Sequence, residues 1–527
     1  MTRFGLLLLI TLLLPLALHA QIDDARAAID RGEFIRAVTI LSDEVAQRPS
    51  ADAYLYLGIA YAHMREFEKA EDVLVEGRAR FTTDPRFSNE LAGVFLANNE
   101  VDRAREALGR ALVVAADNAY ASDLLANIDM SEGDVQSALD SWNRSGRPII
   151  DNILNNGFRT PSHWTLNKAT TFRPDSVIRY DEWRTTERRL FASGFFSNVA
   201  LEVQPTPIPD HYDANLRTSL RANSLSGFFF DAFKGAPLKT SYLDIWNLGN
   251  SGVSIRSMYR WDPNRRRGEL GVHAPLPLRG LLFLEATGIW RSEQWETPKG
   301  NFRFKSTGGR IMLKHIPHYR FEIGAGYEYR NRAGYDTRNF GRILAETSIR
   351  LADNRYQNRL HAEGFATHEY RAGTLELNNR LTLSKSTGTV LDWTIKGGTS
   401  RGPVPTEDLF LLGVDAKDAN LLRGHSVTQN GHLGSSPMGN HFGLLNLDIE
   451  RRIAVLPLFG SFNIPFLTIK GEVFADAGRI RGQGKVLVDT GAGLKFEAPT
   501  YNVNLIYGRS LRDGQQIFAA HVERRWW

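Results

Sequence analysis

From Asn223 to Trp527 the chain runs through 305 residues of short segments that alternate apolar and polar side chains, separated by Gly, Asn, Asp and Pro. Successive side chains of a strand point to opposite faces, so each segment is committed to a strand with one apolar and one polar face. In RFEIGAGYEYR, Phe321, Ile323, Ala325, Tyr327 and Tyr329 share one face, while Arg320, Glu322, Glu328 and Arg330 share the other. TLELNNRLTL and FLTIKGEVFAD behave alike. A soluble sandwich also alternates. The aromatic content, the export signal described next and segment lengths near the ~10 residues of a tilted membrane strand favour a transmembrane barrel. Lipid tolerates no open sheet edge, so the sheet must close. About 16 strands fit this length, at roughly 19 residues per strand and connection.

Residues 1–20, MTRFGLLLLITLLLPLALHA, read as a secretory signal, with Arg3 as the basic region, Phe4 to Leu18 as the apolar core and Ala20 at the cleavage point. The apolar run is shorter than the ~20 residues of a spanning helix and contains Pro15. The absence of cysteine excludes a disulfide framework, cysteine metal sites and an acylated N-terminal cysteine. The formal charge is +5. Basic and acidic residues interleave throughout, however, and export removes the usual partner, so nucleic acid is not an expected partner.

Residues 21–146 show helical periodicity with internal repetition. FEKAEDVL, VDRAREAL and VQSALDSW place Ala70, Ala104 and Ala138 at intervals of 34 residues, and FIRAVTIL puts Ala37 at nearly the same interval before them. Gly58, Ala92 and Ala126 repeat equally, with Pro49 and Pro85 punctuating turns. This spacing resembles tetratricopeptide (TPR) repeats, about four of them, in which helix pairs stack into a superhelix with a concave peptide-binding groove. Tyr54, Tyr61, Phe95 and Asn98 are groove candidates that would serve equally well as packing residues.

Between 147 and 222 the pattern changes to a small α/β module. RPIIDNILNNG reads as a strand running to a turn at Asn156-Gly157, Asp181 to Ala192 as a helix closing at Ser193-Gly194, VALEV as a strand, and ANLRTSLRAN as a last strand. RRLFASGFFSNVALEV resembles the end of a polypeptide-transport-associated (POTRA) domain, and FRPDSVIRYDEW resembles the link into that family's second helix. Exposed strand edges of such modules pair with extended client chains.

Face assignment in the later strands isolates a charged cluster. In FLTIKGEVFADAG, Thr468, Lys470, Glu472, Phe474, Asp476 and Gly478 take the inward phase; in GLLNLDIERR, Asn446, Asp448 and Glu450 do. A loop carrying LLRGHS precedes both and is long enough to fold back inside. An inward Arg423 needs carboxylates, because a guanidinium away from bulk water is costly without them. LLRGHS resembles the Arg-Gly-aromatic loop motif of the outer-membrane assembly and two-partner secretion superfamily (the BamA, TamA and FhaC type). FADAG at 474–478 resembles its Phe-x-Asp-x-Gly strand, and LNLDIERR its Glu-bearing strand. EDLFLLGVDAKDANLLRG and DTGAGLKFEAPTYNVNLIYGRSL resemble the run into the loop and the closing strands. The resemblance implies a lumenal loop anchored by Arg423 and Gly424, with Asp476, Glu450, Phe474 and Gly478 as its partners on the barrel wall. His425 stands where the family has Phe or Tyr, and the terminal ERRWW is unusually polar for an outer-membrane strand.

Other readings fare worse. Ser426 lacks the glycine two residues on that a hydrolase elbow requires. His425, His432 and His441 have irregular spacing for metal, and the GAG triplets at 324–326 and 491–493 ease strand curvature rather than bind phosphate. PNRRRGE at 263–269 reads as a basic turn, solvated or facing lipopolysaccharide.

The expected protein is therefore multidomain: signal peptide 1–20, TPR superhelix 21–146, POTRA-like module 147–222 and transmembrane antiparallel β-barrel 223–527. It needs no cofactor and no enzymatic chemistry. It would sit in a bacterial outer membrane, contacting lipid and lipopolysaccharide, with its N-terminal domains in the periplasm. There it would receive a polypeptide client or accessory protein through the TPR groove and POTRA edge, and would insert or export it. Alternatives are a repeat-plus-barrel exporter of polysaccharide or surface lipoprotein, and a structural receptor with a plugged barrel.

Overall fold

The computed structural model describes residues 21–156, 163–221, 223, 228, 232, 236, 239–278, 280–297, 300–333, 337–351, 355–414, 421–429, 432–433, 436–457, 466–498 and 501–524. The signal segment, Gly157, residues 415–420 of the run into the loop, the side chain of His432 and the final 525–527 lie outside the described residues. The chain divides into two compact units, Met1–Ile153 with Phe172–Tyr180 and Val203–Ala214, and Leu154–Thr171 with Asp181–Glu202 and Asn215–Trp527.

The first unit is built on helices α1 (21–30), α2 (Phe34–Gln47), α3 (Ala51–His63), α4 (Phe67–Arg80), α5 (Arg86–Ala97), α6 (Val101–Val114), α7 (Ala119–Ser131) and α8 (Val135–Arg144). Ser50, Asn118 and Asp134 cap α3, α7 and α8 by accepting from the N–H three residues on. The repeated small residues sit where neighbouring helices touch. Ala37, Ala70, Ala104 and Ala138 are fully buried, and a Cβ on Gly58 would lie 2.4 Å from Leu74 Cγ. Inside each pair one turn residue (Gly32, Arg65, Asn99 or Gly133) has φ between 60° and 79°. Arg65 adopts this left-handed conformation at a cost of about 1 kcal/mol. Arg65→Gly is therefore expected to raise the melting midpoint of the helical circular-dichroism signal by a few degrees, and an unchanged or lower midpoint would contradict this.

Two groove candidates prove to be core. Tyr54 and Phe95 are buried in the cluster around Leu74, Phe87 and Leu91, with the Tyr54 hydroxyl donating to Glu76 at 2.9 Å and Arg103 stacked over Phe95. Tyr61 is half-buried and Asn98 exposed.

Next come β1 (Ile149–Asn156), α9 (His163–Ala169), β2 (Ser176–Val177), α10 (Tyr180–Ala192), β3 (Phe196–Pro205) and β4 (His211–Leu220), with the strands ordered β2–β1–β4–β3. Within the second unit, α10 docks on the sheet that follows. Arg188 donates to Tyr319 O at 2.7 Å and to Glu322 at 3.1 Å, Arg189 donates to Ile316 O at 2.9 Å, and His273 contacts Ala192 O at 2.7 Å.

That sheet comprises β5 (Thr240–Ile245), β6 (Ser254–Asp262), β7 (Arg265–Leu276), β8 (Leu282–Thr297), β9 (Gly300–His318), β10 (Phe321–Arg332), β11 (Arg338–Leu351), β12 (Tyr356–Ala366), β13 (Arg371–Ser384) and β14 (Thr389–Arg401). The two-residue strands β15 (Phe410–Leu411), β16 (Thr428–Gln429), β17 (His432–Leu433) and β18 (Met438–Gly439) follow. It ends with β19 (His441–Pro457), β20 (Phe466–Ile480), β21 (Leu487–Ala498), β22 (Tyr501–Ser510) and β23 (Gln516–Arg524). Long strands pair antiparallel with their neighbours, β14 pairs directly with β19, and the order is cyclic, with β23 beside β5. There are 15 long strands among the described residues, against the 16 expected. The outer face carries exposed apolar side chains, among them Ile311, Ile323, Ile343, Ile395, Leu447 and Val473.

PNRRRGE is not a basic turn. Only Pro263 and Asn264 turn; Arg265 to Glu269 belong to β7, where Arg265 and Arg267 face inward beside Glu293 and Glu269. The GAG triplets lie inside β10 and β21. A Cβ on Gly491 would stand 2.0 Å from Tyr507 O and 2.5 Å from Phe474 Cζ, so this glycine makes room for an inward phenyl ring.

Candidate functional site

β14 and β19 are direct neighbours, and residues 421–427 of the connection between them lie against the inner face of the sheet. Leu422 is fully buried there in a cluster with Leu412, Phe442, Leu444 and Ile480. Gly478 provides the space: a Cβ would meet Leu412, Leu422 and Leu444 at 3.2–3.3 Å. Burial of Leu422 next to Arg423 helps to hold the loop inside.

Arg423, 4% exposed, is held from three directions. Its guanidinium forks onto Asp476 through Nε (2.9 Å to Oδ2) and Nη2 (2.7 Å to Oδ1), and its backbone N–H donates to the same carboxylate at 2.9 Å. Nη1 donates to Asp448. Below it lies the Phe474 ring, 3.7 Å from Cζ to the centroid. Asn446 completes the group by donating to Leu421 O at 2.6 Å and Asp476 at 2.7 Å. Charge-assisted bonds from each of the three guanidinium nitrogens make burial of the cation tolerable.

The geometry brings Arg423, Gly424, Asp476, Phe474 and Gly478 together but separates Glu450 from Arg423. In the β19–β20 register Asn446 faces Asp476, Asp448 faces Phe474, and Glu450 faces Glu472, too far along the strand. The second carboxylate is Asp448, an inward neighbour that the family pattern passes over. Glu450 instead accepts from Lys495 at 2.7 Å, Lys470 at 3.3 Å and Arg380 at 3.5 Å.

Gly424 is positioned by contact rather than conformation. Its N–H donates to Asp489 Oδ2 at 2.6 Å, and a Cβ would lie 2.7 Å from both Asp489 Cγ and Ser510 N. His425, 2% exposed, replaces the aromatic residue with a charged clasp. Nδ1 meets Asp489 at 3.0 Å and Nε2 meets Asp513 at 2.8 Å. With a carboxylate on each ring nitrogen, only the imidazolium donates to both. Burial pushes this loop histidine down, but the hydrogen bonds and charges of Asp489 and Asp513 outweigh it and hold its pKa above the ordinary value. A raised folded-state pKa gives stability that is complete below the ordinary histidine range and lost as pH rises through the folded value. Protease protection of the loop should therefore fall as pH rises above neutral. His425→Gln should remove that dependence, and an identical pH profile in the variant would contradict it.

A cyclic antiparallel sheet with a charged inner face, an apolar outer face and an inward arginine-anchored loop is a β-barrel-like fold. Among solved structures the chain is similar to CdiB from Escherichia coli, at 13% identity and TM-score 0.50, over 72% of this chain and 77% of that one. It also matches BamA from Haemophilus ducreyi lacking POTRA domains 1–3, at 13% identity and TM-score 0.41, over 72% and 85%. The helices match MamA from Desulfovibrio magneticus RS-1, at 18% identity and TM-score 0.22, over 24% and 73%. No family model and no curated protein matches the chain.

Proposed function

We propose that this protein is an outer-membrane assembly factor or polypeptide translocase. The 15-stranded sheet acts as a transmembrane barrel, its exposed apolar outer side chains facing lipid and lipopolysaccharide. The α/β module acts as a POTRA domain, a reading supported by the β1–β4–β3 strand order and the two helices between β1 and β3. The helix pairs act as TPR repeats. Both reside in the periplasm and receive a polypeptide client, which the barrel inserts or passes outward without covalent chemistry.

The observation that carries this reading is the loop drawn against the inner face of the sheet by Arg423 and held there by Asp476 and Asp448. A photo-crosslinker at exposed Tyr120 of the repeats, and another at the β3 edge, would be activated in cells and the adducts identified by mass spectrometry. Adducts with exported polypeptides are expected. Adducts with glycan-synthesis components alone would favour polysaccharide export, and adducts with one abundant envelope protein and no clients would favour a receptor. Either result would overturn the proposal.

A further inference from the structure

The outer face of β13, β14, β19 and β20 changes character along its length. Its middle carries exposed Leu375, Ile395, Leu445, Leu447 and Val473. α10 docks at one end of the sheet, on the turn after β9. At the opposite end the same outward phase reaches Arg371, Arg401 and Arg479, and Arg481 follows β20 directly. All four arginines are exposed, and none makes a side-chain hydrogen bond or ion pair among the described residues.

The register shows why these guanidiniums stay open. Arg371 stands directly opposite Arg401 across β13 and β14. Like charges so placed, about 5 Å apart at Cβ, repel each other. On its other side Arg371 faces Ala366, and Arg479 faces Gly443. One outward row further in, Gly373, Thr399 and His441 oppose one another, and the Arg481 N–H donates to His441 O at 2.9 Å. The next row holds Leu375, Gly397, Gly443 and Arg479. None of these outward positions is an acid. Glu369, in the turn before Arg371, pairs with Arg338 at 3.4 Å. Two strand spacings and a two-residue offset place Arg401 and Arg481 about 12 Å apart at Cα. The rim thus presents two cationic seats directly beside an apolar surface.

We propose that this end of β13–β20 binds the phosphorylated headgroup of a lipopolysaccharide, with one phosphate between Arg371 and Arg401 and a second at Arg479 and Arg481. A phosphate offers acceptors to two planar forks at once and relieves the repulsion across β13 and β14. The acyl chains of the same lipid would lie on the apolar side chains below. A lipid is favoured over a free anion because the arginines border that apolar face rather than a polar cavity. The inference rests on the proposed outer-membrane orientation: with the α10 end of the sheet periplasmic, the arginines lie at the outer leaflet, where this lipid resides. It is independent of the client.

The full chain in detergent would be titrated with bis-phosphorylated lipid A and followed by native mass spectrometry. Fully dephosphorylated lipid A and phosphatidylglycerol would be titrated separately. Saturable binding of lipid A is expected, at least about tenfold tighter than that of either other lipid. The double variant Arg371→Gln, Arg401→Gln should lose about tenfold or more, and Arg479→Gln less. Replacing both Arg371 and Arg401 by Lys should keep most of the binding. Arg451→Gln, exposed at the other end of β19, should keep all of it. Heat-modifiable migration would verify that each variant is folded. A folded wild type without saturable lipid A binding would overturn the proposal and leave the translocase reading standing. Equal affinity for either other lipid, or equal binding by the folded double Gln variant, would also overturn it. A wild type that shows no heat-modifiable migration would overturn the barrel reading and this inference with it.

Discussion

Asp476→Ala is expected to destabilise the folded barrel and its docked loop by about 3–5 kcal/mol, the cost of breaking a buried ion pair by removing one partner. Asp476 is 1% exposed and receives the Arg423 guanidinium fork, the Arg423 backbone N–H and the Asn446 amide. With the carboxylate gone, the fork is lost and Asp448 is the remaining acid hydrogen-bonded to the guanidinium. Arg423→Ala removes the cation itself but leaves the buried Asp476 close to the half-buried Asp448. Each single change is thus expected to be costly, and the double change less than the sum, because the second substitution removes a charge already stranded by the first. Denaturant midpoints of the heat-modifiable form measure all three. Full additivity would show that the contact contributes no coupling.

Gly508→Ala tests the loop without touching a charge. Gly508 lies on the inner face of β22, and a Cβ there would stand 1.8 Å from the Arg423 carbonyl oxygen and 2.6 Å from its carbon. Both are backbone atoms, so no rotamer change relieves the clash; the loop or the strand must move. The expected result is expulsion of the loop, with a cost at or above the usual 1–3 kcal/mol of overpacking. It would be read as rapid proteolysis at 421–427 while the strands stay protected. Gly443→Ala is the control, since nothing lies within 4 Å of a Cβ at that position. Equal protection of both variants would mean that the loop does not depend on this contact.

The two substitutions bear on what the sequence could and could not disclose. Period-two alternation assigns faces without any knowledge of neighbours, so the inward phase of Glu472, Phe474 and Asp476 was readable from 466–480 alone. Helix-pair spacing was readable for the same reason: Ala70, Ala104 and Ala138 recur because the same contact recurs. The choice between Asp448 and Glu450 was not readable, since both share the inward phase and only the register against Asp476 places one within reach of Arg423. The His425 clasp was equally hidden. Its carboxylates come from β21 and from the turn between β22 and β23, 64 and 88 residues away. Tyr54 and Phe95 misled because an aromatic at helical spacing suits a groove and a core equally well. In PNRRRGE, a cluster of charge outweighed the alternation that runs through it, so its strand character and inward arginines were missed.

The central claim is that the last 15 strands form a membrane barrel whose interior is occupied by the Arg423 loop. Single-channel recording in planar bilayers, comparing the full chain with a variant lacking residues 413–441, tests it most directly. The account predicts small or rare openings for the full chain and a large, persistent conductance for the deletion. Equal conductance from the two, with both inserted and folded, would contradict it.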